Sequence, residues 1–382
     1  MNIFKRWLTD LAAWLGRCLR SDRTSGRALI IPPAVPGSMG DAAMITSTIA
    51  ALRGMGFVRV DVLQLAPGAD WNVDSRPDRL IPGWRFIDYG SVSNLAELLV
   101  RLGSYTHVFC IGADILDGIY DEDRMARRLE LLSRAARSGA EPVILGSSFS
   151  EHPSPRIVGL IRKLPEEVAI FARDRYSKAR MDGALDRRIG LSADVVFLLE
   201  PAHPIDRHAE DIAWLEDERA SGRRLVGLNA NYLNEKDHPG LVGGYSGLLT
   251  RLVSAGCSVL LVPHDTRTER SDLVICQTIF DSLAPDVARH ARVLIPTSPG
   301  QLRSVLDRVD LVVTGRMHAA IIALGGTTPA MSFAYANKFE GLYRHLGLEP
   351  GDMILSLAQL EDDPEAVTAS ILAVLTRSPE LR

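Results

Sequence analysis

The sequence has little of what marks several common classes of protein. Positive charge is not in excess, since 43 Lys and Arg residues stand against 47 Asp and Glu residues for a net charge of -4. Without a global basic field, nucleic acid is not expected as a partner, and any site for an anion must be local. No uncharged apolar run reaches the roughly 18 residues that a membrane-spanning helix requires, so a spanning segment is not expected.

Cysteine and metal-ligand clusters are also scarce. The four cysteines, Cys18, Cys110, Cys257 and Cys276, show no CxxC spacing. We interpret them as buried thiols of a protein in the reducing cytoplasm. The acidic run at residues 121–123 opens a predicted helix, where carboxylates favour the helix dipole, so it predicts no metal site.

The first 26 residues differ in character from the rest. Apolar side chains from Phe4 to Leu19 recur at three- and four-residue steps, with Lys and Arg between them. This pattern predicts a basic amphipathic helix over residues 3–19. Asp10 interrupts the apolar stretch that a signal peptide would need. Two interpretations stay open: a helix lying peripherally on the inner face of the cell membrane, and a helix packed on the body or on a partner subunit.

From Arg27 onward, short β-rich runs alternate with segments of helical period. This alternation is typical of a parallel sheet covered on both faces by helices. A charged connector at about Pro201–Arg224 separates two such series. We therefore predict an α/β fold of two doubly wound Rossmann-like domains facing a cleft, residues 27–200 and 201–382. Ligands of open parallel sheets bind beyond the carboxyl ends of the strands, which directs attention to the loops after each strand.

Three loops of the first series carry candidate residues. The loop PGSMGD places Gly40 where backbone amides can approach a ligand. It also places Asp41 near a helix start, where Asp41 is interpreted either as a catalytic acid or as a simple N-cap. In IGADILDG, Asp114 follows a strand, as a general base or a cap of the next turn. FARDRYS ends a strand with Arg173, interpreted either as a ligand for an anion or as part of a structural ion pair involving Asp174.

The second series supplies the strongest candidates. In TGRMHAA, Arg316 and His318 flank the start of a helix whose free amides favour an anion. Arginine offers a fork for carboxylate or phosphate, and histidine offers a proton near neutral pH. An exposed arginine and a capping histidine are the alternative. In VPHD, His264 and Asp265 end a strand, as a proton-transfer pair or a hydrogen-bonded loop pair.

Together these segments resemble the polysaccharide pyruvyl transferase family. The resemblance lies in GSMGDAAM, in RDRYS, and in GRMHAAIIALGGTTPAMSFAYANKFEGLYRHLGL, which has Lys338 at the lysine position of the family. The segment SADVVFLL resembles the aspartate-containing segment of the family and places Asp194 in that role. The similarity extends from the first strand to Gly347 and leaves the N-terminal helix outside.

The resemblance implies a fold similar to GT-B glycosyltransferases and transfer of the enolpyruvyl unit of phosphoenolpyruvate to two hydroxyls of a saccharide. The product is a cyclic pyruvate ketal of a cell-envelope polysaccharide or exopolysaccharide, and no further cofactor is expected. In that reaction Arg316 holds the donor and His318 is the acid and base, with Asp41 or Asp114 assisting. The expected substrate-binding residues are Arg173, Lys338, Gly40, Ser177 and His264. If the N-terminal helix lies on a membrane, the expected acceptor is a lipid-linked saccharide.

Two rival interpretations remain. The first is a glycosyltransferase that uses a nucleotide sugar. Retaining enzymes of that fold often carry two glutamates eight residues apart; Glu210 and Glu218 have this spacing, but they lie on the connector helix. The second rival is a non-catalytic paralogue that binds a saccharide.

Overall fold

A computed structural model of the chain describes residues 25–68, 71, 73–202, 209–267, 271–334 and 338–381, and of Lys338 it describes the backbone alone. The predicted helix at residues 3–19, Cys18 and the side chain of Lys338 lie outside the described residues. The other three cysteines are free and buried.

The chain divides into two compact units. Of the described residues, the first takes in those up to Pro36, Met44–Trp71 and Ser75–Val195. The second takes in Gly37–Ala43, a short piece that ends at Asp74, and the chain from Val196 onward. This division differs from the predicted domain limits in one respect that matters for function, because the loop carrying Gly40 and Asp41 groups with the second unit.

The described residues of the first unit form a parallel sheet of seven strands in the order β3-β2-β1-β4-β5-β6-β7. The strands are β1 Arg27–Ile31, β2 Arg59–Gln64, β3 Leu80–Pro82, β4 His107–Ala113, β5 Glu141–Ser147, β6 Ala169–Ala172 and β7 Ile189–Leu191. Helices in or between these segments are Met39–Gly54, Trp84–Tyr89, Val92–Leu102, Glu122–Arg137, Pro155–Arg162 and Arg175–Ala184. The strand order reverses beside β1, so right-handed crossovers place helices on both faces.

In the second unit, the described residues form a parallel sheet of six strands in the order β10-β9-β8-β11-β12-β13. The strands are β8 Arg224–Asn229, β9 Cys257–Leu261, β10 Ala291–Val293, β11 Leu311–Thr314, β12 Ala330–Phe333 and β13 Ile354–Leu355. The helices are Ala209–Ala220, Leu241–Ser254, Asp272–Asp281, Pro285–Ala288, Pro299–Leu306, Met317–Gly325, Lys338–His345, Pro350–Met353, Leu357–Asp362 and Pro364–Leu381.

The central strands form where the sequence is continuously apolar. Every residue of β9 is buried, and so is β8 after its first residue. Strands buried on both faces carry such runs because helices cover each side of the sheet. Short polar side chains start the helices: Ser91, Asp121, Ser154, Asp174 and Ser298 each accept a hydrogen bond from a backbone N–H of the first turn. Asp121, of the acidic run, thus has a capping role.

Candidate active site

The carboxyl ends of three neighbouring strands of the second unit bring the strongest candidates together. β8 ends at Asn229 and β11 ends beside it at Thr314. The hydroxyl of Thr314 donates to Oδ1 of Asn229 over 3.0 Å and accepts from the backbone N–H of Arg316 over 2.9 Å. This turn brings Arg316 to the edge of the sheet directly before the helix Met317–Gly325.

A buried carboxylate, that of Asp272, holds Arg316 in a fixed orientation. Arg316 donates from Nε to Oδ2 over 3.0 Å and from Nη2 to Oδ1 over 2.7 Å. The guanidinium carbon lies 5.3 Å from the ring centroid of Tyr232, within the range of a cation–π contact. A bidentate fork with a ring over one face fixes the plane of the guanidinium as well as its position.

Asp272 is fully buried at the start of the helix Asp272–Asp281. Besides Arg316, its oxygens accept from Asn229 Nδ2 over 3.1 Å and from the backbone N–H groups of Tyr232, His264 and Asp265 over 3.3, 3.3 and 3.2 Å. A buried charge of this kind is tolerated because each oxygen has several donors. Asp272 therefore joins the loops after β8, β9 and β11 around one carboxylate.

His264 lies in the loop after β9 and is 3% exposed. Neither of its ring nitrogens has a hydrogen-bond partner among the described residues. Burial holds the pKa of His264 well below its ordinary value, and the nearby Arg316 and His318 lower it further. At neutral pH the ring is therefore neutral and offers one N–H donor and one acceptor without charge.

His318 packs directly against Gly40. A Cβ atom added to Gly40 would lie 2.5 Å from Nδ1 of His318 and 2.7 Å from its Cβ. The backbone N–H of Met39 donates to the carbonyl of His264 over 2.9 Å. This bond fixes the glycine loop, residues 37–41, beside the loop that follows β9. The predicted residues Gly40, His264, Arg316 and His318 thus belong to one cluster of the second unit. Asp41 follows Gly40 in the first turn of the helix Met39–Gly54.

Gly40→Ala is expected to displace His318 and to lower turnover by about 100-fold, since a misplacement of about 1 Å can cost that much. The Cβ would meet three atoms of His318 within 2.7 Å, so one of the two must move. Steady-state turnover should be compared with that of Gly54→Ala in the same helix, where the added Cβ meets nothing within 4 Å. Equal turnover in the two variants would contradict the close packing.

Comparison with known proteins identifies the family. The model of the polysaccharide pyruvyl transferase family matches residues 39–337. The chain belongs to the polysaccharide pyruvyl transferase family. The predicted membership is confirmed, and the matched region contains Gly40, Asp41 and the cluster around Arg316.

Several solved structures share the fold. They include the MnaA–UDP co-structure from S. aureus (TM-score 0.61, 10% identity, covering 92% of this chain and 90% of that one). A putative UDP-N-acetylglucosamine 2-epimerase from Listeria monocytogenes has a TM-score of 0.57 and 12% identity, with 91% and 90% covered. UDP-GlcNAc 2-epimerase from Neisseria meningitidis bound to UDP-GlcNAc has a TM-score of 0.55 and 11% identity, with 93% and 92% covered. This likeness confirms the predicted GT-B-like class of two Rossmann-like domains.

The sequence also pointed to residues of the first unit, among them the buried Arg173. It donates from Nη1 to Asp194 over 3.0 Å and from Nε to Ser148 over 2.8 Å, and its side chain is 3% exposed. Asp174, considered above for a structural ion pair, is instead the N-cap of the helix Arg175–Ala184. It accepts from the backbone N–H of Ser177 over 2.8 Å and from its hydroxyl over 2.6 Å.

Asp114 lies in the same unit, after β4, and is half-buried. It accepts a hydrogen bond from the hydroxyl of Tyr120 over 3.0 Å. The residue before it, Ala113, has a φ of 44°, an unusual conformation for a residue with a side chain. Ser177, besides bonding to Asp174, accepts from the backbone N–H of Phe149 over 3.1 Å. In the first unit, Asp114, Arg173 and Ser177 are therefore each held by hydrogen bonds to other residues of that unit.

Two residues of the site, Asp272 and Arg267, were not predicted from the sequence. Asp272 follows a serine at a helix start, where an acid is ordinarily explained by the helix dipole. Arg267 lies two residues beyond Asp265 and bonds to it.

Within the part of the chain that the structure describes, no group of three or more His, Cys, Asp or Glu side chains could hold a metal ion. No described helix is long and apolar enough to cross a membrane.

Proposed function

We propose that this chain transfers the enolpyruvyl unit of phosphoenolpyruvate to two hydroxyls of a saccharide, forming a cyclic pyruvate ketal. The bond from C2 to the phosphate oxygen breaks, and two bonds from C2 to saccharide oxygens form. Of the two hydroxyl protons that are lost, one ends on C3, which becomes a methyl group, and the other on the released phosphate. The donor trianion and the neutral diol thus give a ketal monoanion and hydrogen phosphate.

One observation carries the proposal: a guanidinium with fixed orientation lies beside two histidines at the carboxyl edge of the sheet in a chain of this family. Arg316 cannot rotate away from Asp272 without breaking two charge-assisted bonds. Such a preorganised cation stabilises charge that develops on a donor anion at little reorganisation cost. We therefore assign Arg316 to binding the donor and to stabilising its negative charge during transfer.

The proton steps need a group that can give and take a proton near neutral pH. We assign this role to His318, which lies beside the glycine loop. His264, neutral and with unpartnered ring nitrogens among the described residues, is assigned to binding a neutral group of a substrate, such as a saccharide hydroxyl. Asp41, in the first turn of the helix Met39–Gly54, is assigned to accepting a hydroxyl proton.

Asp114, Arg173, Ser177 and Lys338 remain proposals as catalytic or substrate-binding residues. The acceptor is proposed to be a cell-envelope saccharide, free or lipid-linked, reached from the cytoplasmic side. The glutamate pair of the rival glycosyltransferase interpretation gains no support, because Glu218 accepts from Nδ1 of His290 over 2.8 Å and from Ser258 in the interior of the second unit.

The deciding experiment measures release of phosphate from phosphoenolpyruvate by the purified full chain, with and without a panel of free and lipid-linked cell-envelope saccharides. We expect release that requires an acceptor and a product heavier by one pyruvate ketal in its mass spectrum. Donor binding by calorimetry is measured in parallel. Absence of phosphoenolpyruvate binding, with stabilisation by uridine or guanosine nucleotide sugars, would replace the proposal by glycosyl transfer. Absence of both, with binding of a saccharide, would indicate a non-catalytic paralogue.

A further inference from the structure

A second arginine, Arg267, lies beside Arg316 and is held in the same manner. Its Nε donates to both oxygens of Asp265 over 2.9 and 3.1 Å, Nη2 donates to Oδ2, and its backbone N–H donates to Oδ1 over 3.2 Å. The Asp265 side chain is 1% exposed, whereas that of Arg267 is 48% exposed. A flexible surface arginine would gain little from one ion pair, but this one is fixed by a buried acid at three atoms.

The glycine loop provides the surface on which the stem of Arg267 lies. Gly37 has a φ of 135°, and a Cβ there would approach Cγ and Cδ of Arg267 within 2.7 and 2.8 Å. Ser38 pairs with Asp265 in an isolated β-bridge, and the N–H of Thr266 donates to the carbonyl of Gly37 over 3.3 Å. The loop therefore positions Arg267 as well as His318.

Asp265 also couples the two arginines. Its Oδ2, which accepts from Nη2 of Arg267, lies 3.9 Å from Nη2 of Arg316. Its backbone N–H donates to Asp272, the partner of Arg316. The two guanidinium groups thus approach the same carboxylate oxygen. This spacing suits a ligand that carries two anionic groups on a single carbon atom.

The two arginines differ in exposure and in the donors that they offer. The Arg316 side chain is 16% exposed, against 48% for Arg267. Nη1 of Arg267 donates no hydrogen bond within the described residues, so its two N–H groups are not used by the pair with Asp265. The departing group of a transfer reaction must reach solvent, whereas the group that stays with the reacting carbon benefits from the more enclosed cation.

From this geometry we infer that Arg267 binds the phosphate of the donor while Arg316 binds its carboxylate. The inference rests on the proposed function, since it assigns the two anionic groups of phosphoenolpyruvate to two arginines. Each guanidinium is already paired with a buried acid, which offsets its positive charge. The two arginines therefore bind the donor through directed N–H groups more than through net charge. A lysine, which lacks the planar fork, is therefore a poor substitute at position 267.

The test compares Arg267→Gln and Arg267→Lys with the unchanged chain, with calorimetric binding of phosphoenolpyruvate, inorganic phosphate and pyruvate as the readout. For Arg267→Gln we expect an affinity for phosphoenolpyruvate and phosphate about 10- to 100-fold lower, as for loss of a charge-assisted hydrogen bond, with pyruvate affinity unchanged. Arg267→Lys should restore less than half of the lost binding free energy. Arg289→Gln is the matched control, because Arg289 is exposed and precedes β10 at the opposite edge of the same sheet.

The outcomes separate this inference from the function on which it rests. If the unchanged chain binds no phosphoenolpyruvate, the proposed function fails. If the unchanged chain binds it and Arg267→Gln binds it equally well, or loses pyruvate affinity instead of phosphate affinity, the assignment of Arg267 is wrong. Loss of the fold is checked by circular dichroism, and the double variant Arg267→Gln/Asp265→Asn removes the buried charge that Arg267→Gln alone leaves without its main partner.

Discussion

Replacing Arg316 with alanine should lower kcat/KM for phosphoenolpyruvate by about 10²- to 10³-fold, the range found when one preorganised group that stabilises developing charge is removed. The reason is that the fork to Asp272 holds the guanidinium in one orientation, so that none of its effect is lost to reorientation during the reaction. The measurement is acceptor-dependent phosphate release at several donor concentrations. Activity within about tenfold of the unchanged chain would remove Arg316 from the mechanism.

The same substitution has a structural effect that must be separated from the catalytic one. Arg316→Ala leaves the fully buried Asp272 without its charged partner, although Asn229 and three backbone N–H groups still donate to it. We expect a loss of about 3 kcal/mol in the free energy of unfolding, the lower end of the range for a broken buried pair. Arg316→Ala/Asp272→Asn should recover most of that stability in urea unfolding while activity stays absent. Recovery of activity together with stability would show that Arg316 is structural.

The local part of this site was predictable from the sequence, and the tertiary part was not. Arg316 and His318 could be recognised because a buried apolar strand ends directly before them, and parallel strands present that end to ligands. Asp272 could not be recognised, because its own position at a helix start already explains an acid. Its partner is 44 residues away along the chain. Arg267 was passed over because nothing local shows that Asp265 is buried.

The fold shows the same division between local and distant causes. Strands with continuous apolar runs, such as β8 and β9, follow from the local order of residues. β3 and β7 have three residues each and β13 has two, too few for any periodicity, and they exist because a neighbouring strand supplies hydrogen bonds. The same holds for the side chain of Arg173, whose ion-pair partner is distant in the sequence. Arg173 pairs with Asp194, 21 residues away, while the adjacent Asp174 caps a helix.

His318→Gln should lower kcat by about 10²- to 10⁴-fold while the affinity for phosphoenolpyruvate stays within a few-fold. Glutamine keeps a polar side chain of similar reach beside Gly40, yet its amide does not give or take a proton near neutral pH. The direct measurement is incorporation of solvent deuterium into the methyl group of the ketal during a single turnover. In the unchanged chain one deuterium should enter with each transfer, and in the variant the transfer itself should slow by the same factor.

A histidine at the other edge of the same sheet provides the control for this variant. His290 precedes β10 and pairs with Glu218 over 2.8 Å, so His290→Gln tests what the loss of an imidazole does to the second unit without touching the cluster. We expect nearly full turnover there. If His318→Gln kept its rate but bound phosphoenolpyruvate more weakly, His318 would be a binding group. The proton donor would then have to be sought among the other titratable side chains at the strand ends, beginning with Asp41, since His264 is held neutral by its burial.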